Sequence, residues 1–225
     1  PKARSALQAA QLLIGAAAHL AQFRELDAQK IPYPSPMSAL PELLSAHAQQ
    51  RIVILASGYA LFYGIGKVLL RILAPQHLVF HPNVSSIQAA CARFGKSWQD
   101  AQCISLHGRP LATLRAALHS NRLYGILTDA HNSPKAIAQL LIEVGLSASK
   151  LWVAEALGLP EERCRAFSAA VLAEAENDFD ALNVVIVETS GAGGYLPEFP
   201  GIPDHWFSTG EEGGKGLLSK REIRL

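Results

Sequence analysis

Arg51-Ile52-Val53-Ile54-Leu55-Ala56-Ser57-Gly58 is a β-branched run that stops abruptly at small residues. Apolar side chains at consecutive positions suit a strand buried on both faces, as in a parallel sheet. The small residues at its end let a ligand approach the backbone closely. A helix expected over residues 62–73 would offer its amino-terminal dipole and free N–H groups to that ligand. A tight strand-to-helix turn, common in α/β proteins, explains the same residues without any ligand. Gly64 and Gly66, followed by Leu69, do not make the dinucleotide-binding fingerprint.

The same strand–loop–helix rhythm extends outward in both directions. Upstream, residues 2–10 read as a short helix and Leu12-Leu13-Ile14-Gly15 as a strand. Four prolines (Pro32, Pro34, Pro36, Pro41) exclude long regular structure over residues 31–41, and Pro41 suits the first turn of a helix ending near Gln49. Downstream, Leu78-Val79-Phe80 reads as a strand, and Ser85 caps a helix that Gly95 closes. Residues 102–106 form the next strand and 111–119 the next helix. Ser120-Asn121-Arg122 is the best candidate for a lobe boundary. Beyond it come strands at 124–128, 151–154 and 183–187, and a helix from Ser133-Pro134 to Gly145. Residues 163–167 alternate and suit an antiparallel strand. These units imply an α/β fold in two lobes, 1–119 and 120–189, with a mainly parallel sheet in the first and a mixed sheet in the second. Ligands in such sheets bind where loops leave the carboxyl ends of strands, here after Leu55, Phe80, Leu106, Leu127 and Ala154. From Ser190 the chain turns Gly- and Pro-rich and reads as a linker over 190–225.

Composition narrows the function classes. The 225 residues are 49% hydrophobic and 17% charged, with a formal net charge of +1. So balanced a charge points neither to nucleic acid nor to a membrane surface. The stretch from Ala6 to Phe23 is broken by Gln8, Gln11, His19 and Gln22, so no spanning helix is expected. Cys91, Cys103 and Cys164 are odd in number and far apart, which suggests buried thiols in a reducing cytoplasm. His77 and His81 would be about 13 Å apart on a strand, too far for one metal ion. No metal is expected. Trp98, Trp152 and Trp206 read as packing residues.

Five blocks in order carry a resemblance: Ala56-Ser57-Gly58-Tyr59, Pro82-Asn83-Val84-Ser85-Ser86, Trp98-Gln99-Asp100-Ala101 with Ser105-Leu106-His107-Gly108-Arg109, Leu127-Thr128-Asp129, and Ala181-Leu182-Asn183-Val184-Val185. They resemble the precorrin-6Y C-5 methyltransferases, a branch of the tetrapyrrole (class III) methylases. Gly201-Ile202-Pro203-Asp204 and residues 219–224 look like the opening of a second, decarboxylating methyltransferase domain. Family members open with a strand and glycine-rich loop, which are expected before Pro1. They also carry an aspartate where Tyr59 stands and a glycine where Asn83 stands.

The resemblance implies a two-lobed tetrapyrrole methylase fold with a ligand cleft between the lobes. It implies S-adenosylmethionine as methyl donor, S-adenosylhomocysteine as product, a corrin-ring precursor as acceptor, and a homodimer. By position in the motifs, Ala56, Ser57, Gly58 and Tyr59 line the methionine side of the donor, with Ser85 and Ser86 nearby, and Phe62 is a further donor-binding residue. Leu127 and Leu157 fall against the adenosine. Arg109 either pairs with carboxylates of the acceptor or is a solvated surface side chain. His107 acts as a base or only as a hydrogen-bonding group. Asp129 and His131 border the next loop, where Asp129 can serve as a cap. Two rival readings remain: a sister methylase acting on another ring carbon, and a domain kept for assembly or substrate handover, which Tyr59 favours.

Overall fold

Short apolar strands set the architecture, and the computed structural model describes them over residues 2–176 and 178–193. Internal contacts divide the chain into two units, one up to Ser85 and one from Ser86 onward. Each has its own sheet. The second-domain motifs after Gly201, and Trp206, lie outside the described residues.

The first unit runs α1 (Lys2–Gln8), β1 (Leu12–Gly15), α2 (Ala17–Leu20), β2 (Gln29–Pro32), α3 (Leu40–Ala46), β3 (Ile52–Ile54) and α4 (Gly66–Ile72). β1 is central, and β2 and β3 both pair with it in parallel. Its Leu12, Leu13 and Ile14 are fully buried, as a strand covered on both faces requires. Leu12 and Ile14 form a core with Leu40 and Leu44 of α3 and Leu69 of α4. Pro32 is tolerated because it ends an edge strand.

Two expectations here need correction. Residues 78–80 do not form a strand: they follow a 3-10 turn (Pro75–His77) and pair with no strand among the described residues. Leu78 and Phe80 pack on the first core while Val79 is 81% exposed. An extended chain lying across a core thus copies the alternation of a strand. The helix expected from residue 62 begins only at Gly66, because the chain first folds back on itself. Gly66 N–H donates to the Ala60 carbonyl at 2.8 Å. A Cβ at Gly64 or Gly66 would lie 2.7 or 2.6 Å from that oxygen, so glycine is needed at both positions.

The second unit runs α5 (Ser86–Arg93), β4 (Gln102–Ser105), α6 (Ala112–Arg115), β5 (Leu123–Leu127), α7 (Pro134–Glu143), β6 (Lys150–Glu155), β7 (Arg163–Ser168), α8 (Ala169–Glu174) and β8 (Asn183–Glu188). The sheet order is β4-β5-β8-β6-β7. β4 and β5 are parallel, whereas β8 runs antiparallel to both β5 and β6. β7 is the expected antiparallel strand. The Ser133 hydroxyl accepts from Ala136 N–H at the start of α7, and Gly145 follows its end with φ +78. Both signals agree with the sequence pattern.

The sequence pattern puts a lobe boundary at residues 120–122, while contacts divide the chain at Ser85/Ser86. The reason is pairing: β4 joins β5, and α5 packs so closely on this sheet that a Cβ at Gly125 would lie 2.6 Å from Ile87 Cγ2.

Tyr124 is the largest fully buried side chain of the second core. Its hydroxyl donates to the Ala117 carbonyl at 2.7 Å and accepts from His119 N–H at 2.9 Å, tying β5 to the segment after α6. Tyr124→Phe leaves both backbone groups without that partner and is expected to destabilise the chain by about 1–3 kcal/mol. Urea unfolding measures it, and an unchanged midpoint would contradict the role assigned to the hydroxyl.

Candidate functional site

In the first unit the carboxyl ends of the three parallel strands are held close together. The Leu55 N–H donates to Ile14 O at 2.7 Å, continuing the β1–β3 pairing past Ile54. A Cβ at Gly15 would stand 2.9 Å from Leu55 Cβ, so only glycine permits this approach. From the end of β2, Tyr33 N–H donates to Gly15 O at 3.1 Å and its hydroxyl donates to Leu55 O at 2.6 Å. Burial pushes the Tyr33 phenol up, which keeps that donor protonated.

Ala56, Ser57, Gly58, Tyr59 and Phe62 continue from this junction. Ser57 and Gly58 are exposed, and Gly58 has φ +58, a left-handed conformation in which a side chain would be strained. The space beside Gly58 faces the backbone of the Val84–Ser85 turn, with Val84 O and Ser85 Cα each 3.8 Å from the Cβ position. The two turns named by the sequence therefore adjoin one another. Ser57 Oγ lies 3.1 Å from His19 Nε2, and His19 stands on α2 just past the end of β1. Tyr59 is half-buried, and its carbonyl accepts from Phe62 N–H at 2.9 Å. The Phe62 ring meets Tyr63 edge-on at 4.9 Å. Because α4 starts at Gly66, the expected helix dipole is not at the Ser57-Gly58 turn.

In the second unit, β4, β5 and β6 all run opposite to β8, so their carboxyl ends share one edge of the sheet. His107 and Arg109 follow β4, Leu127 ends β5, and Leu157 follows β6. These four fall on that same edge, while Ser86 opens α5. His107 and Arg109 are exposed, and Arg109 Nη1 reaches back to Ser105 O at 3.4 Å.

Asp129 organises the loops on this edge. Its carboxylate accepts from Gly108 N–H at 2.8 Å, from Asn132 N–H at 2.8 Å and from His131 N–H at 2.9 Å. Asn132 Nδ2 in turn donates to Leu106 O and Arg109 O, each at 3.0 Å. The capping alternative is thus the one the geometry bears out for Asp129. These N–H donors, Asn132 first and then Gly108, hold its carboxyl at about 2.

Two features escaped the sequence reading. Glu155, fully buried at the end of β6, pairs with Arg163 at 2.9 Å and Arg165 at 3.0 Å across the β6–β7 register. It also accepts from Asp180 N–H at 2.9 Å. The alternating arginines of residues 163–165 opposite an apolar run that ends in glutamate were the available signal. His19 had none, being one histidine in an alanine-rich stretch. A cavity of about 610 Å³ opens at the opposite edge of the sheet, lined by Lys96, Arg122, Lys150 and Glu188 among others, and holds none of the expected site residues.

The tetrapyrrole (corrin/porphyrin) methylase family profile matches residues 1–173. A Sinorhizobium precorrin-6Y C(5,15)-methyltransferase [decarboxylating] is 34% identical over 192 residues, 84% of this chain and 45% of that protein. The chain thus spans about half the length of that relative. A Salmonella typhimurium cobalt-precorrin-7 C(5)-methyltransferase is 32% identical over 163 residues, 72% of this chain and 80% of that protein. Among solved structures, the Thermus thermophilus uroporphyrin-III C-methyltransferase complexed with S-adenosylhomocysteine superposes with a TM-score of 0.66. It is 19% identical and covers 83% of this chain and 89% of that one, a likeness of fold.

Asp129 gives a pH-dependent prediction. Its folded value of about 2 lies below the roughly 3.9 of an unfolded aspartate. Its stabilisation is therefore present above about pH 4 and lost as pH falls through about 2. Asp129→Asn should lower the denaturation midpoint at pH 5–7, and the gap from the parent should close towards pH 2. A gap that stays constant with pH would contradict the assignment.

Proposed function

Because the chain belongs to the tetrapyrrole (corrin/porphyrin) methylase family, we propose that it is an S-adenosylmethionine-dependent C-methyltransferase of cobalamin biosynthesis. It acts in the cytoplasm on carbon 5 of precorrin-7 or of its cobalt analogue. The observation that carries this reading is the nearness of Gly58 to the Val84–Ser85 segment, whose backbone lies 3.8 Å from the Cβ position that glycine leaves empty, both being expected donor-binding segments. Relatives named for carbon-5 methylation, 32% and 34% identical, support the choice of ring carbon.

The residues present fit such a donor. Ser57 and Gly58 are exposed and Gly58 has no side chain, so a ligand can reach the main chain of this turn from its solvent side. S-adenosylmethionine, when bound, supplies a methyl group on a sulfonium that already carries its leaving group. The work left to the protein is to align donor and acceptor carbon. Ala56, Ser57, Gly58 and Tyr59 hold the methionine end, with Phe62, Ser85 and Ser86 beside them. Leu127 and Leu157, on one edge of the second sheet, give apolar surface to the adenosine. Arg109 pairs with acceptor carboxylates through a charge-assisted fork, and His107 hydrogen-bonds or takes a proton next to it. Asp129 and Asn132 keep the loop of His107 and Arg109 in shape.

No helix among the described residues is long and apolar enough to cross a membrane. We read the protein as a homodimer, as the family resemblance implies, and its carbon-5 methylating part as followed by a decarboxylating methyltransferase domain, the latter on the strength of the motifs after Gly201 and the length of the longer relatives. Sedimentation of the purified chain tests the dimer, and a monomer at micromolar concentration would refute it.

Incubation with S-adenosylmethionine and precorrin-7, followed by mass spectrometry, should show the gain of one methyl group. Arg109→Ala should raise KM for the corrin substrate about tenfold while leaving donor affinity unchanged. Absence of donor binding would overturn the enzyme reading and favour a domain kept for substrate handover, the role to which Tyr59 points.

A further inference from the structure

His19 combines two observations that the proposed reaction does not use. Its Nε2 lies 3.1 Å from Ser57 Oγ. Its Nδ1 is buried and has no hydrogen-bond partner among the described residues. The ring is carried on α2, where His19 N–H and Leu20 N–H both donate to Ala16 O, so its backbone is fixed.

These facts favour one position for the ring proton. With the proton on Nδ1, a buried N–H would stand without an acceptor, an arrangement that proteins rarely contain. With the proton on Nε2, the orphaned atom is only an acceptor lone pair, the milder deficit. Nε2–H then donates to Ser57 Oγ. A serine hydroxyl has one proton to give and lone pairs to receive with. With Oγ receiving from His19, the Ser57 proton is directed away from the ring, to the exposed side of the turn.

We propose that His19 is a positioning residue: it donates through Nε2–H to Ser57 and thereby turns the Ser57 hydroxyl into an outward-facing donor for a carboxylate or carbonyl oxygen of the ligand. This rests on the reading of the Ser57-Gly58 turn as the place that holds the amino-acid end of the methyl donor. The opposite tautomer would make Ser57 an acceptor, suited to an ammonium group instead. His19 therefore sets which end group of the ligand this turn recognises.

Two measurements on the full 225-residue chain test it. Long-range ¹H–¹⁵N correlation with labelled histidine should show His19 protonated at Nε2 and bare at Nδ1, in the absence of any ligand. A signature of protonated Nδ1 would overturn the proposal. Calorimetric titration with S-adenosylhomocysteine should then show about tenfold weaker binding for His19→Ala and for Ser57→Ala. The double variant should be no more than about twofold worse than Ser57→Ala, because His19 acts through Ser57. His19→Gln, whose amide can donate from nearly the same place as Nε2, should recover most of the affinity. Additive losses near a hundredfold, or no rescue by glutamine, would overturn it. If the parent chain itself fails to bind S-adenosylhomocysteine, the donor-site reading falls, while the tautomer spectrum still judges the His19–Ser57 pair.

Discussion

The approach of Gly15 to Leu55 is the constraint on which the first unit's site depends. Two parallel strands can continue side by side past Ile14 and Ile54 only because Gly15 has no Cβ, which would stand 2.9 Å from Leu55 Cβ. The pairing places Leu55 O where the Tyr33 hydroxyl can reach it, and so fastens the exit of β2 to the same point. The turn beyond Leu55 inherits this position. Ser57 comes beside His19, and Gly58 turns in a left-handed conformation against Val84 and Ser85. A side chain at residue 15 would be felt first at the strand ends and then in every contact made by the turn.

The second unit solves a related problem with polar groups. Its sheet is mixed, so the loops leaving β4, β5 and β6 gather on one edge while β8 returns between β5 and β6. Loops side by side leave backbone N–H groups that need acceptors. One carboxylate, Asp129, serves three of them, and the Asn132 amide serves two carbonyls. At the neighbouring β6–β7 hairpin, the buried Glu155 does the same work with two arginines and a backbone N–H. Fixed loops of this kind suit the proposed methyl transfer, which depends on alignment more than on activation.

Most of the strands were legible because apolar runs such as residues 52–54, 151–154 and 183–187 are too short for helices and too continuous for loops. The helix from Pro134 was legible for another reason, since Ser133 and Gly145 mark its ends by local chemistry alone. Leu78-Val79-Phe80 misled because side-chain alternation reports burial on one side, and a segment draped over a core has that property without a sheet partner. The start of α4 was hidden because Gly64 and Gly66 are spaced by a contact with the Ala60 carbonyl, a feature of folding and not of sequence pattern. At the site, the turns of residues 56–59 and 82–86 stood out as motifs. His19 did not, since its partner Ser57 is 38 positions away and only the β1–β3 pairing brings them together.

The Ser57-Gly58 turn and the Val84–Ser85 segment are the proposed wall for the methyl donor. Residue-resolved NMR of the backbone amides, recorded as S-adenosylhomocysteine is added, tests it most directly. Dose-dependent shifts at Ser57, Gly58 and Ser85 are the result expected. Shifts confined to Lys96, Arg122 and Lys150 around the cavity at the far edge of the second sheet would contradict that placement of the donor.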